Sequence, residues 1–271
     1  MRTVSATALE LSLAICAFCW VFDSRTKAQT HSLDSPRKPV IVELFTSEGC
    51  SSCPPAEALL KKLGEQQSVP GANVVALEEH VTYWDHLGWR DPYSSAEWTQ
   101  RQVAYKEKFK MEEVYTPQMV VNGREQFVGS NERDAAIEIG KAARRRETDV
   151  AITSKKPDAA DSQQFIVSVG TLTENTAGDA AEIWLAVTED GLQSSVSGGE
   201  NSGHVLHHVA TLRSLRKIGI ADPNNDAASF TGDPRVRFDS RWNRESLQVV
   251  VFVQEKKSLQ ILGAATMKIS H

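Results

Sequence analysis

A chain of 271 residues, 41% hydrophobic and 24% charged, can bury a real core as one large domain or as two. Its formal net charge of −5 advertises no basic surface and argues against nucleic acid as a partner. The one dense basic run, Arg144-Arg145-Arg146, follows a helical pattern and complements a helix C-terminus.

Residues 11–22, "LSLAICAFCWVF", form an apolar run of twelve, short of the roughly 20 residues that span a bilayer. With Arg2 before it and "TKAQ" after it, the run fits a secretory signal cleaved after Ala28. Glu10 interrupts that pattern, and an uncleaved membrane anchor is the alternative. Residues 1–28 are therefore expected to direct export to the periplasm or beyond, and 29–39 to be a linker. Cys16 and Cys19 lie inside the apolar run, where they act as small hydrophobes. The mature chain then keeps Cys50 and Cys53 alone.

"PVIVELFTS" is nearly continuous in apolar residues and predicts a strand buried on both faces. "PPAEALLKKLGEQ" predicts a helix with Leu59, Leu60 and Leu63 on its apolar stripe, and "GANVVALEEHV" a second strand. Ser94 with Glu97 reads as a capping box opening a helix that carries Trp98, Tyr105 and Phe109. Asn122-Gly123 between two alternating runs predicts a hairpin, and Asn131 caps a last helix through "ERDAAIEIGKAARRRE". The order is β-α-β-α-β-β-α over 40–147. From about Thr148 the strand-like runs "TDVAITS", "QFIVSVGTLT", "AEIWLAVTE", "HVLHHVATL", "RVRFDSRW" and "LQVVVFVQE" predict a β-rich, sandwich-like domain over 148–271.

Cys50-Ser51-Ser52-Cys53 stands between the first strand and the first helix. A thiol at a helix N-terminus meets unpaired N–H groups and the macrodipole, which lower its pKa and make it a nucleophile. A second cysteine one turn away can resolve a mixed disulfide. Pro54 and Pro55 leave open whether the helix starts at Cys50 or nearer Cys53. A metal site needs more ligands, and the spacing of His80, His86, His204, His207 and His208 points to none; the last three read as surface or packing residues. A staple closing so small a ring constrains little.

The order β-CxxC-α-β-α-β-β-α and the stretch "VYTPQMVVNG" resemble thioredoxin-like oxidoreductases. The resemblance implies that Pro117 is the cis proline beside the cysteines, with Thr116 before it presenting backbone to substrate. It also implies a buried acid on the first strand, relaying a proton to the resolving cysteine. Glu43 is the candidate, seven residues before Cys50 where the family spacing is six; an acid paired with a cationic neighbour is the alternative. "ELFTSEGCSSCPPAEALL", "HVTYWDHLGWRDPYS", "YTPQMVVNG" and "GGENSGHVL" together resemble the DUF1223 family of secreted bacterial proteins, with Thr82 standing where an Asp commonly follows "HV". In the second of these stretches, His80, Tyr83, Trp84 and Trp89 either wall a groove beside the cysteines or pack the loop.

The expected activity is thiol–disulfide exchange with protein or small-molecule thiols, needing no cofactor beyond the Cys50–Cys53 disulfide. Cys50 attacks, Cys53 resolves, Glu43 accepts a proton, and Thr116, Pro117 and Trp84 bind substrate. One alternative is a Cu(I) handler using both cysteines with a histidine or a methionine, Met119 being the methionine nearest Pro117 in sequence. Another is a non-catalytic binding protein with a structural disulfide.

Overall fold

The computed structural model describes residues 37–155, 161–224 and 228–269. The signal or anchor segment, with Cys16 and Cys19, lies outside them. No described helix is long and apolar enough to cross a membrane. The fold is mixed α/β, rich in strands and with few helices.

β1 (Lys38–Thr46) leads through the CxxC turn into α1 (Pro54–Gln66), β2 (Ala72–His80) and α2 (Ala96–Phe109). β3 (Gln118–Val121), β4 (Glu125–Val128) and α3 (Glu132–Ala143) follow, so the order β-α-β-α-β-β-α is observed. The Asn122-Gly123 turn takes positive φ at both residues, 45° and 59°, as that dipeptide favours. α1 matches its expected bounds, and Asn131 caps α3 by accepting from the Asp134 N–H. α3 stops at Ala143, before the arginine run. α2 is capped by Ser95, one residue later than expected: its hydroxyl accepts the Glu97 N–H, while the Ser94 hydroxyl donates to Asp85.

Along β1, Val40, Val42 and Leu44 face α1 and α3, while Ile41 and Phe45 face the side where α2 packs through Trp98 and Tyr105. That two-sided burial is why the strand reads as an unbroken apolar run.

The remaining strands are β5 (Val150–Ser154), β6 (Ser162–Val169), β7 (Ala181–Glu189), β8 (Leu192–Ser195), β9 (Val205–His208), β10 (Thr211–Ile220), β11 (Phe230–Gly232), β12 (Arg235–Arg237), β13 (Leu247–Glu255) and β14 (Ile261–Lys268). Among the described residues, eight strands join in one sheet, ordered β14-β13-β7-β10-β2-β1-β3-β4. The expected boundary near 148 therefore falls between α3 and β5, yet strands from both sides of it share a sheet. β2 pairs β10 in parallel through Glu78 and Thr211, and the described residues form one compact unit. Strand edges left open by a 110-residue unit would need covering; here β10 covers the free edge of β2.

β5, β6, β11 and β12 make a second layer, packed on β7 and β13 through Phe165, Val167, Val169, Ile183, Leu185, Val249 and Val251. Alternation along β6, with Phe165 and Val167 buried and Ile166 exposed, is the period-two signal of a half-buried strand. The large sheet also curls: the Ile261 N–H donates to the Asn122 carbonyl, and the Thr148 N–H to Leu262.

Glu147, at the turn into β5, has one carboxylate oxygen without a hydrogen-bond partner. Burial, with Asp149 adding to it and Lys38 opposing, pushes its pKa from 4.5 up to about 7. An acid raised in the folded state binds more protons folded than unfolded, so stability falls as pH rises from about 4.5 to about 7. Glu147→Gln should raise the melting temperature at pH 8 and leave it unchanged at pH 4. Equal shifts at both pH values would refute this.

Candidate functional site

Cys50 and Cys53 form a disulfide, Cα atoms 5.5 Å apart, and both residues are 0% exposed. Two successive turns build the loop: the Cys50 N–H donates to Ser47 and the Cys53 N–H to Cys50. α1 then begins at Pro54 with Cys53 at its N-cap. Cys50 thus precedes the helix by a turn, and the dipole acts more on Cys53 than on Cys50.

Several expected site residues come together here. The Trp84 indole donates to the Thr116 hydroxyl at 2.8 Å, and a side chain at Gly49 would lie 3.1 Å from the Trp84 Cβ. Trp84 therefore bridges the residue before Cys50 and the residue before Pro117. The Thr116-Pro117 bond is cis. A side chain at Gly129 would collide with Leu44 and press on Ala56 and Pro117, so glycine there lets Pro117 close on the first turn of α1. Met119 is fully buried in the apolar layer beneath α1 and α3.

The turn is roofed by the loop 196–204 between β8 and β9. The Asn201 amide donates to the carbonyls of Glu48 (2.8 Å) and Cys50 (3.0 Å), and Glu200 accepts from the Ser51 N–H at 3.1 Å. A Cβ on Gly198 would stand 2.3 Å from the Gly88 carbonyl, so only glycine lets this roof meet the Trp84–Trp89 loop so closely.

Glu43 occupies the other face of the sheet. Arg101 donates to one of its oxygens at 2.5 Å and the Tyr105 hydroxyl to the other at 2.5 Å, so it is the acid paired with a cationic neighbour. The buried carboxylate on the α1 face, one helical turn after Cys53, is Glu57, which accepts from the Thr46 hydroxyl at 2.5 Å.

Glu57 belongs to a buried group that sequence reasoning missed. Glu78 and His80 alternate with Glu79 along the end of β2, so the first two face α1 and Glu79 faces α2. Of the three read as surface or packing residues, His208 arrives from β9 buried, whereas His204 and His207 are exposed, as is His86. His80 Nδ1 lies 2.7 Å from Asp91 and Nε2 3.2 Å from Glu78. His208 Nδ1 lies 3.0 Å from the same Glu78 oxygen and Nε2 2.9 Å from Glu48. Glu57 stands 3.7 Å from His208 Nδ1.

Carboxylates stand against both ring nitrogens of each histidine. Burial alone would lower the pKa of either ring; Asp91 and Glu78 hold His80 well above 6.5, and Glu48 and Glu78 raise His208 to about 9. Burial would raise Glu78, but the two imidazoliums pull it down to about 2. Burial and the Glu78 charge push Glu57 up to about 7. The legible signal was "LEEH", three ionisable residues closing a buried strand, next to an acid, Glu48, two residues before Cys50.

Two solved structures share the fold. A protein of Agrobacterium tumefaciens, AGR_C_4864, is 24% identical, with 88% of this chain and 99% of that one covered and a TM-score of 0.61. HBP35 of Porphyromonas gingivalis is 16% identical, with 87% of this chain and 76% of that one covered and a TM-score of 0.62. Among curated proteins, none matches this chain. The profile described as "Protein of unknown function (DUF1223)" matches residues 41–254, and the chain belongs to the DUF1223 family.

Proposed function

We propose that this chain is an exported thiol–disulfide oxidoreductase, with residues 38–143 acting as a thioredoxin-like unit. The observation that carries the reading is the Cys50–Cys53 disulfide at the junction of a buried strand and a helix N-terminus. The Trp84–Thr116 bridge and Pro117, closed on the first turn of α1, support it. The apolar run at 11–22 supports export. By position, Glu57 is better sited than Glu43 to exchange a proton with the Cys53 thiol.

A partner thiolate attacks Cys50 Sγ; a new S–S bond forms as the Cys50–Cys53 bond breaks, and Cys53 leaves as a thiolate that takes up a proton. A second partner thiolate then attacks the partner sulfur of the mixed disulfide, and Cys50 leaves. The partner loses two electrons and the protein gains them as two thiols. In the reverse direction Cys50 is the attacking thiolate and Cys53 resolves. Partners are dithiols or disulfides of proteins or small molecules, which Thr116, Pro117 and Trp84 would orient.

Titration against glutathione and dithiothreitol, with free thiols trapped and counted, tests the reading. A reversible two-electron transition between about −270 and −120 mV is expected, as for exchange proteins. Cys50→Ser should abolish exchange; full activity in that variant would overturn the assignment. The complete burial of both cysteines favours a second reading, a binding protein with a structural disulfide. A bond resisting reduction below about −300 mV would put that reading first.

A further inference from the structure

We propose that His80, His208 and Glu78 form a binding site for one divalent transition-metal cation of the zinc class, separate from the disulfide. Their ligand atoms lie within 4.8 Å of one another, and all three residues are buried. Two ring nitrogens, His80 Nε2 and His208 Nδ1, converge on a single oxygen, Glu78 Oε1. Three donors gathered into so small a space by two separate strands, β2 and β9, are what a cation site needs. A hydrogen-bonded core histidine needs one partner, not a shared focus.

The surroundings match a metal site as well. A ligating histidine turns one nitrogen to the ion and donates the other N–H to a carboxylate, which fixes the ring and raises its basicity. Both histidines have that outer carboxylate: Asp91 at 2.7 Å for His80 and Glu48 at 2.9 Å for His208. Each carboxylate is itself held in place. Asp91 accepts the backbone N–H groups of Glu48 and Tyr93, and Glu48 accepts the Trp89 indole N–H at 2.7 Å. Glu78 is anchored through its second oxygen by the Val209 N–H at 2.8 Å, leaving the first directed at the rings.

Glu57, 3.7 Å from His208 Nδ1 and just outside that trio, would supply a fourth donor, the second oxygen. Two imidazoles and two carboxylates suit tetrahedral zinc, or cobalt in its place, better than calcium or magnesium, which favour oxygen ligands throughout. A cleft of about 550 Å³ between α1 and the β8–β9 hairpin, lined by Leu60, Gly64, His207 and His208, offers a way in.

The test uses the full chain with its disulfide intact, stripped with a chelator and titrated with zinc by calorimetry and with cobalt by visible absorption. One zinc per chain is expected, along with the intense visible bands of tetrahedral cobalt. Asp91→Asn should weaken binding about 10- to 100-fold by loosening one ring. His208→Gln, checked for a native circular-dichroism spectrum, should abolish it. A triple variant of the exposed histidines, His86→Gln, His204→Gln and His207→Gln, should bind as the parent does. The proposal is overturned if the oxidised parent binds neither ion, or if binding disappears in the triple variant. Because both cysteines stay paired throughout, a failure here is distinct from a failure of the exchange reading.

Discussion

Arg101→Met should lower the unfolding free energy by about 3–5 kcal/mol, the usual cost of stranding a buried charge. Glu43 and Glu79 are both fully buried, and both lean on this guanidinium, at 2.5 Å and 3.5 Å. Neither Glu79 oxygen makes a hydrogen bond. Burial and the neighbouring Glu43 push its pKa well above the carboxylate range, and Glu43 holds the shorter contact to Arg101. The guanidinium also bonds Gln254 at 3.0 Å and lies over the rings of Tyr105 and Phe252, tying α2 to β1 and β13 at once. Against a total stability of about 5–15 kcal/mol, the loss would be a large fraction. Adding Glu43→Gln to Arg101→Met removes the stranded charge and keeps an acceptor for Tyr105. The double variant should recover more than half of the loss in urea unfolding. If the two substitutions simply add, the ion-pair account is wrong.

Asn201→Ala should speed reduction of Cys50–Cys53 by dithiothreitol about fivefold to a hundredfold. Both cysteines are 0% exposed, so a reductant must wait for the roof over them to open. Asn201 holds that roof with two hydrogen bonds, to the carbonyls of Glu48 and Cys50. At about 0.5–1.5 kcal/mol each, losing both shifts the opening equilibrium by about 1–3 kcal/mol. Gly198→Ala should act in the same direction by a different cause, since its Cβ would meet the Gly88 carbonyl at 2.3 Å. Trapping free thiols over time measures both variants. Unchanged rates in the two would mean that the 196–204 loop does not gate the disulfide.

Much of this arrangement was legible locally. "PVIVELFTS" announced a strand buried on both faces, Asn122-Gly123 a turn with two positive φ values, and "PPAEALLKKLGEQ" a helix of the bounds observed. Each signal depends on residues within one or two turns of one another, and burial only reinforces it. Where local signals compete, reading fails by a residue or two: Ser94 and Ser95 both qualify as caps, and it is Ser95 that accepts the Glu97 N–H. Strand pairing across residue 148 was illegible for a different cause. A change from helices to strands in the sequence says nothing about hydrogen bonding across it, and β10 completes the sheet that β2 began.

The site divides along the same line. That Cys50 and Cys53 can pair, and that their loop opens a helix, follows from the sequence by itself, because a three-residue separation confines both thiols to one turn. Which carboxylates and imidazoles share their surroundings does not follow. His208 meets Glu78 from 130 residues away and Glu48 from 160, and Glu43 is carried to the opposite sheet face by strand alternation. A buried charge is tolerated only where partners converge on it. Those partners are chosen by the folding of the whole sheet, and only the tertiary structure decided them.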